Sequence, residues 1–379
     1  MKKVLATILA LVMALSVTTM AWADDVAKIG NTGYATLQGA VDAATNGQTI
    51  VLQDNVTLTA SLNVAVDKTV TLDLNSYKIT ADMNGPHMIC NAGNLTITDS
   101  SENKTGEIAK IGAETNLGYV IENHGTMKLD RCKISSTSVK SSAIENGWYT
   151  ASANTAHTSC TMTIQNAEVV SVNADGGLYT VKNDDYGVMV INGGVFTNGV
   201  AGAGAVLNWN DLTINGGTFT GASAVRTLKS GSSDFEIGKS QIKNGTFNGI
   251  IDTLDNYNTG ITIAVTGGTF STDVTEYLAE GKILQKNGDT YTAVTNSAIT
   301  SGTYTSEPTV PSGYKATKND DGTWTVSKVS YYYYQPTTDT KTTDTKGSPK
   351  TFDAGIALYV GMALTSAAGV AFVGKKRED

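Results

Sequence analysis

Apolar and polar residues alternate along this chain in a recurring phrase. Eight-residue windows starting at Ile50, Leu72, Leu95, Met127, Met162, Met189, Leu212, Ser240 and Ile263 share it. In most windows the first and third positions are apolar, as in Leu95/Ile97, Met127/Leu129 and Leu212/Ile214. The position between them is polar or small. Period-two alternation describes a strand with one buried face. The last position returns to apolar at Ile79, Ile134, Val169, Phe196, Phe219, Phe247 and Phe270, and four of the chain's seven Phe stand there. The windows start 22, 23, 32, 35, 27, 23, 28 and 23 residues apart. A period just above 20 with insertions is the signature of a solenoid, in which matching positions become neighbours in space. The four Phe are therefore expected to stack as a column of rings.

A second periodic mark is asparagine. Asn91, Asn123 and Asn208 each stand four residues before a window, and Asn146 and Asn183 occupy the same place ahead of insertions. Asn suits turn backbone, and its amide both donates and accepts, so five in register predict a hydrogen-bonded ladder at one corner. The fold class that follows is all-β, a right-handed parallel β-helix solenoid. Residues 36–45 place Leu37, Ala40, Val41 and Ala44 on one helical face, which predicts an N-terminal helical cap. Beyond the coils, residues 267–294 and 301–326 duplicate each other at an offset of 34 residues. Each reads as a GGTF-like start followed by a hairpin that turns at "KNGD" or "KNDDG" and closes on Tyr291 or Trp324.

Both ends read as sorting segments. Lys2 and Lys3 precede an apolar run, and Ala21-Trp22-Ala23 offers a cleavage site, so residues 1–23 read as a signal peptide. Residues 354–373 carry no charge over 20 positions and are followed by Lys375, Lys376 and Arg377. That pattern predicts a C-terminal transmembrane helix with a cytoplasmic tail. The predicted organisation is then a signal peptide (1–23), a β-helix with its cap (24–274), hairpin modules (275–329), a low-complexity stalk (330–347) and a sorting segment (348–379). The formal charge of −8, with only three Arg, argues against a nucleic-acid partner. Cys90, Cys132 and Cys160 are too few and too irregular for a disulfide framework and read as packing residues, a single bridge staying open.

The stretch "YATLQGAVDAATNGQTIVLQDNVTL", with "KTVTLDLNSYKIT" and the GGTF coils, resembles pectin-lyase-like right-handed β-helix surface proteins of Gram-positive, Clostridia-type bacteria. The likeness covers residues 26–274 and implies fold more than activity. The C-terminus resembles a cell-wall sorting signal of the LPxTG kind, with Ser348-Pro349-Lys350-Thr351-Phe352 as the pentapeptide. That resemblance implies a sortase as partner, whose thiolate attacks the Thr351 carbonyl before an amine of the cell-wall peptide takes over the chain. Phe352 departs from the family's Gly, so retention in the membrane by the span is the other reading. Both readings place the protein on the extracellular surface.

No active site is legible. The outward second positions are Asp73, Thr96, Lys128, Thr163, Val190, Thr213 and Ala264, and no carboxylates stack among them on neighbouring coils. Asp73 reads as a solvated strand residue and Asp130-Arg131 as a local ion pair. His87, His124 and His157 lack metal-ligand spacing, so no metal and no other cofactor is expected. The insertions are more informative. Stacking would line Trp148, Tyr149, Asp184, Asp185, Tyr186, Trp209 and Asp211 along one edge, where rings with polar neighbours suit sugars. The expected function is non-catalytic adhesion or glycan binding at the cell surface. A polysaccharide lyase or glycoside hydrolase, or a purely structural surface protein, are the alternatives.

Overall fold

The computed structural model describes residues 25–113, 115–148, 157–172, 179–200, 202–229, 237–254 and 260–330. All but Ser330 fall within one compact unit, Met1–Val329. The predicted signal peptide with Ala21 and Ala23, the pentapeptide 348–352 and the apolar span 354–373 lie outside the described residues. Among the described residues no helix is long and apolar enough to cross a membrane.

The described residues are all-β apart from one short α-helix and a 3-10 turn, and their strands pair mostly in parallel. They stack in three columns. The first runs through Gln48–Leu52, Thr69–Asp73, Asn94–Thr98, 126–130, 160–164, Gly187–Ile191, Asp211–Ile214, Lys239–Ile242 and Thr262–Val265. The second begins at Val56–Leu58 and ends at Thr269–Phe270. The third begins at Leu62–Val64 and reaches 250–252. Most strands bury alternate residues, Tyr179–Asn183 and Gly204–Asn208 are buried at every position, and one continuous apolar core runs from Ala27 to Ala293.

The expected register holds from Leu95 onward, where Leu95, Met127, Met162, Met189, Leu212, Ser240 and Ile263 pair in file. It also holds between the first two windows, where Ile50 pairs with Leu72. Between the second and third it slips by two residues, Val70 and not Leu72 pairing with Leu95. A shift of two leaves every side chain on its own face, so alternation alone cannot detect it. The second-column core file is Val56, Ile79, Ile108, Ile134, Val169, Phe196, Phe219, Phe247 and Phe270. Ile108 escapes the window count because the loop 99–106 displaces it.

The four Phe stack with centroids 4.9, 5.0 and 4.9 Å apart and planes within 9° of parallel. All four are fully buried. The second glycine of each Gly-Gly pair makes room for this approach. Gly194 has φ +117°, and a Cβ there would lie 2.3 Å from the Ala167 carbonyl of the preceding coil.

The asparagine ladder forms from the five predicted residues. Asn91 Nδ2 donates to Asn123 Oδ1 (2.7 Å), Asn123 to Asn146 (2.7 Å), Asn146 to Asn183 (2.8 Å) and Asn183 to Asn208 (2.8 Å). The amides also serve the turn backbone. Asn123 Nδ2 donates to the Gly125 and Thr161 carbonyls, and its Oδ1 accepts the Gly125 N–H. All donors point toward the C-terminal coils. The last, Asn208, donates to Ser240 Oγ at 3.0 Å, and Ser240 meets Thr227 Oγ1 at 2.7 Å. Ser240 breaks the apolar pattern of its window because its hydroxyl ends the ladder.

Helix α1 (Leu37–Ala43) starts at Thr36, whose side chain accepts the Gly39 N–H. It buries Leu37, Ala40 and Val41, with Ala44 just beyond it, in the same core as the first coil. Past the last coil, Lys282–Asn287 and Thr290–Thr295 form one antiparallel hairpin, and Tyr314–Lys318 with Trp324–Lys328 a second. Phe270 pairs with Tyr291, and Tyr304 with Trp324, so the two duplicated stretches make equivalent strand contacts.

Candidate functional site

The third column carries the chemistry. Its inward positions end in the ladder asparagines. The residue before each of these points outward, so Asn63, Cys90, Glu122, Glu145 and Lys182 stand in register on successive coils. Glu122 and Glu145 are therefore carboxylates on neighbouring coils. The outward positions of the first column held no such pair, but those of the third column do. The three His do not scatter either. His87 and His124 flank Glu122, and His157 joins them through Trp148.

Glu122 is partly exposed and central. His87 Nε2 lies 3.2 Å from its Oε1 and His124 Nε2 lies 3.9 Å from the same oxygen. The backbone sets the tautomer of His87. The Tyr119 N–H donates to His87 Nδ1 at 3.0 Å, so the ring proton sits on Nε2, the nitrogen that faces Glu122. Burial, with Lys110 nearby, lowers the His87 pKa against the pull of Glu122. Burial also lowers that of His124, with His87 and His157 adding to the effect. Both rings are thus held toward the neutral form. Cys90 packs beside Glu122 as a thiol whose pKa burial and the Glu122 charge push up to about 11. It lines the groove rather than the core. All three cysteines are free, and the other two are buried.

Behind Glu122 lies a buried charge cluster. The Glu145 and Asp184 side chains are each 3% exposed, and Lys182 Nζ sits 3.5 Å from Glu145 Oε1 and in contact with Asp184 Oδ2. Burial pushes the Glu145 pKa up to about 8, with Asp184 and Glu122 adding to it and Lys182 opposing. For Lys182, burial works against the charge, but Asp184 and Glu145 outweigh it and raise its pKa. Glu145 thus holds a proton near neutral pH, beside the contact between Asp184 and Lys182. Tyr119 bonds Glu145, and burial first, then that carboxyl, raises the phenol pKa.

The predicted edge divides. Trp148, Asp184, Asp185 and Tyr186 come together: the Trp148 N–H donates to the Asp185 carbonyl at 2.8 Å, and Tyr186 meets His157 edge-on. Tyr149 lies outside the described residues. Trp148 stacks on His124 at 3.7 Å and on His157 at 4.2 Å, both near parallel. Two rings at those separations cannot share one face of the indole, so they sandwich it. The faces expected to receive sugar are therefore covered by imidazoles, and the stack serves as a wall. Asp184 and Asp185 are buried rather than displayed. Trp209 packs with Tyr179, Leu207 and Leu228 in a separate cluster. Asp211 faces a different cleft, of about 440 Å³, on the first column with Lys239 and Lys243.

Two other sequence readings change or sharpen. Asp73 is buried, not solvated: its carboxylate accepts the Ser100 N–H and Oγ–H and the Asn75 N–H. Asp130 and Arg131 form an ion pair at 3.3 Å. Among the described residues no group of three His, Cys, Asp or Glu side chains has metal-site geometry. The Nε2 proton of His87 fits that finding, because a protonated nitrogen is a donor and not a ligand. No protein family, curated protein or solved structure matches the chain.

Proposed function

We propose that this is an exported, surface-attached β-solenoid that binds glycans in the third-column groove without turning them over. The observation that carries the reading is the convergence of His87, Tyr119, Glu122, His124 and Trp148 around one partly exposed carboxylate. Sugar hydroxyls are recognised by such fixed acceptors and donors beside ring edges. In this reading the solenoid is right-handed and of the pectin-lyase-like type, and α1 closes its first coil. Residues 1–23 export the chain, and 348–379 attach it through a sortase and the cell-wall peptide or through the apolar span. Host-surface glycans are then reachable ligands. A glycan array probed with residues 24–329, assayed for retention and for released sugar, tests the reading. Retention without product is the expected result, and failure of every glycan to bind would reject it. For attachment, Thr351→Ala is expected to move the protein from the wall fraction to the membrane fraction.

One observation favours a second reading, hydrolysis. Glu122 and Glu145 are in register, and Glu145 holds a proton near neutral pH, as a general acid must. Against it stands the burial of Glu145, which keeps its carboxyl from a polymer lying in the groove. Release of reducing sugar in the same array assay would favour hydrolysis.

A further inference from the structure

The third-column groove opens at its N-terminal end into a cleft of about 340 Å³ between α1 and the outward strip. Polar groups converge on it, Gln38 and Asp42 from the helix, Asn63 from the strip and His124 from the wall, beside Cys90 and the apolar Val64, Ala65 and Ala92. Glu122 stands beside both Cys90 and His124. The helix is pinned in place. Gln38 Oε1 accepts the Asn63 N–H at 2.8 Å, and its Nε2 donates to the Asn63 carbonyl at 3.0 Å and to Asp42 Oδ1 at 2.8 Å. The cleft is thus built before any ligand arrives, which limits the entropy lost on binding.

The gap between His124 Nε2 and Glu122 Oε1 is the informative distance. At 3.9 Å the two do not hydrogen-bond directly, yet one small polar group between them would reach both. Glu122 is an acceptor, and a hydroxyl, which donates to a carboxylate while accepting from a ring N–H, fits that gap. Charge decides the rest. Asp42 is the one charged side chain among the lining residues, at one end, and Glu122 stands beside His124 at the other, while the Lys68 ammonium is taken up by the Asp42 and Ala44 carbonyls. An acidic sugar would meet like charge at both ends, and a neutral one would not.

We infer that this cleft is the primary saccharide subsite and that it selects a neutral hexose, one hydroxyl bridging Glu122 and His124, over a uronic acid. The inference rests on the glycan-binding reading above and adds place and ligand class to it. The test is isothermal titration of the full-length chain with glucohexaose, galactohexaose, mannohexaose and hexagalacturonate. At least one neutral hexaose binds, and hexagalacturonate binds about tenfold more weakly or worse. Glu122→Gln and His124→Ala each weaken neutral binding about tenfold, the scale of one charge-assisted hydrogen bond. Asp42→Lys, an exposed change on the helix, shifts the preference toward hexagalacturonate, which loss of structure would not do. Unchanged neutral binding in Glu122→Gln and His124→Ala overturns the inference while leaving glycan binding intact elsewhere on the molecule. Tighter binding of hexagalacturonate by the unaltered chain overturns the ligand class. Absence of binding on the glycan array and to all four probes rejects both the inference and the reading beneath it.

Discussion

Two files of residues run side by side along the third column, one position apart in sequence. The inner file is Asn91, Asn123, Asn146, Asn183 and Asn208. The outer file is Cys90, Glu122, Glu145, Lys182 and Leu207. Both have the pitch of the coil. The inner file keeps one residue type, because each amide must complete its neighbour's hydrogen bonds where water cannot. The outer file runs through four residue types in five coils, because an outward side chain need not match the one above it. In a solenoid, uniformity along a file marks construction, and variety along the adjacent file marks what the construction can be used for.

The sharpest break is Asn146→Ala. It strips a donor from Asn183 and an acceptor from Asn123 in the middle of the ladder. Stability should fall by about 3 kcal/mol, the cost of several buried groups left without partners. Urea unfolding followed by circular dichroism measures this, and a loss under about 1 kcal/mol would show that the ladder is replaceable.

The outer file should be felt chiefly through pH. The folded-state pKa of Glu145 is about 8, raised from an ordinary value of 4.5. The folded chain therefore holds a proton that the unfolded chain releases between those values. This contribution is full below pH 4.5 and is lost as pH rises toward 8, at no more than about 1.4 kcal/mol per pH unit. His87 and His124, with lowered pKa values, act oppositely and cost stability as pH falls below 6.5. The comparison to make is therefore a difference curve. Glu145→Gln should remove the decline between pH 5 and 8 and leave the acid limb unchanged. Parallel curves for the two proteins would mean that Glu145 is ionised in the fold.

Ser240→Ala tests the ladder at its end, where only Asn208 and Thr227 lose a partner. A loss of about 1 kcal/mol is expected, well below that at Asn146. The smallest effect belongs to Glu122→Gln, which keeps an acceptor for His87 on a partly exposed side chain. Melting should move by less than about 0.5 kcal/mol equivalent while glycan retention falls. If this change destabilised the fold as much as Asn146→Ala, the distinction between the two files would collapse.

Much of this was legible in the text. Five asparagines in register gave the ladder, and four Phe in one slot gave the stack, because both are repeats of a residue at a repeated place. The slip between the second and third windows was not legible, because Leu72 and Val70 face the same way. Ile108 was displaced by an insertion. The acidic site went unnoticed for a different reason. Outward residues were compared along the first column alone, although "IEN" at 121–123, "IEN" at 144–146 and "VKN" at 181–183 place Glu122, Glu145 and Lys182 directly before ladder asparagines. The meeting of the histidines could not be read at all. His87, His124 and His157 belong to three different turns, and only the path of those turns brings them to one wall.

Because every amide in the ladder donates in the same sense, the file has a head and a tail. A coil copied into its middle would join seamlessly if it brought its own asparagine, whereas a coil added after Ser240 would find no donor waiting. Lengthening of the ladder is thus open inside the file and closed at its tail, and the coil that does follow, Thr262–Val265, stacks without adding an amide to it.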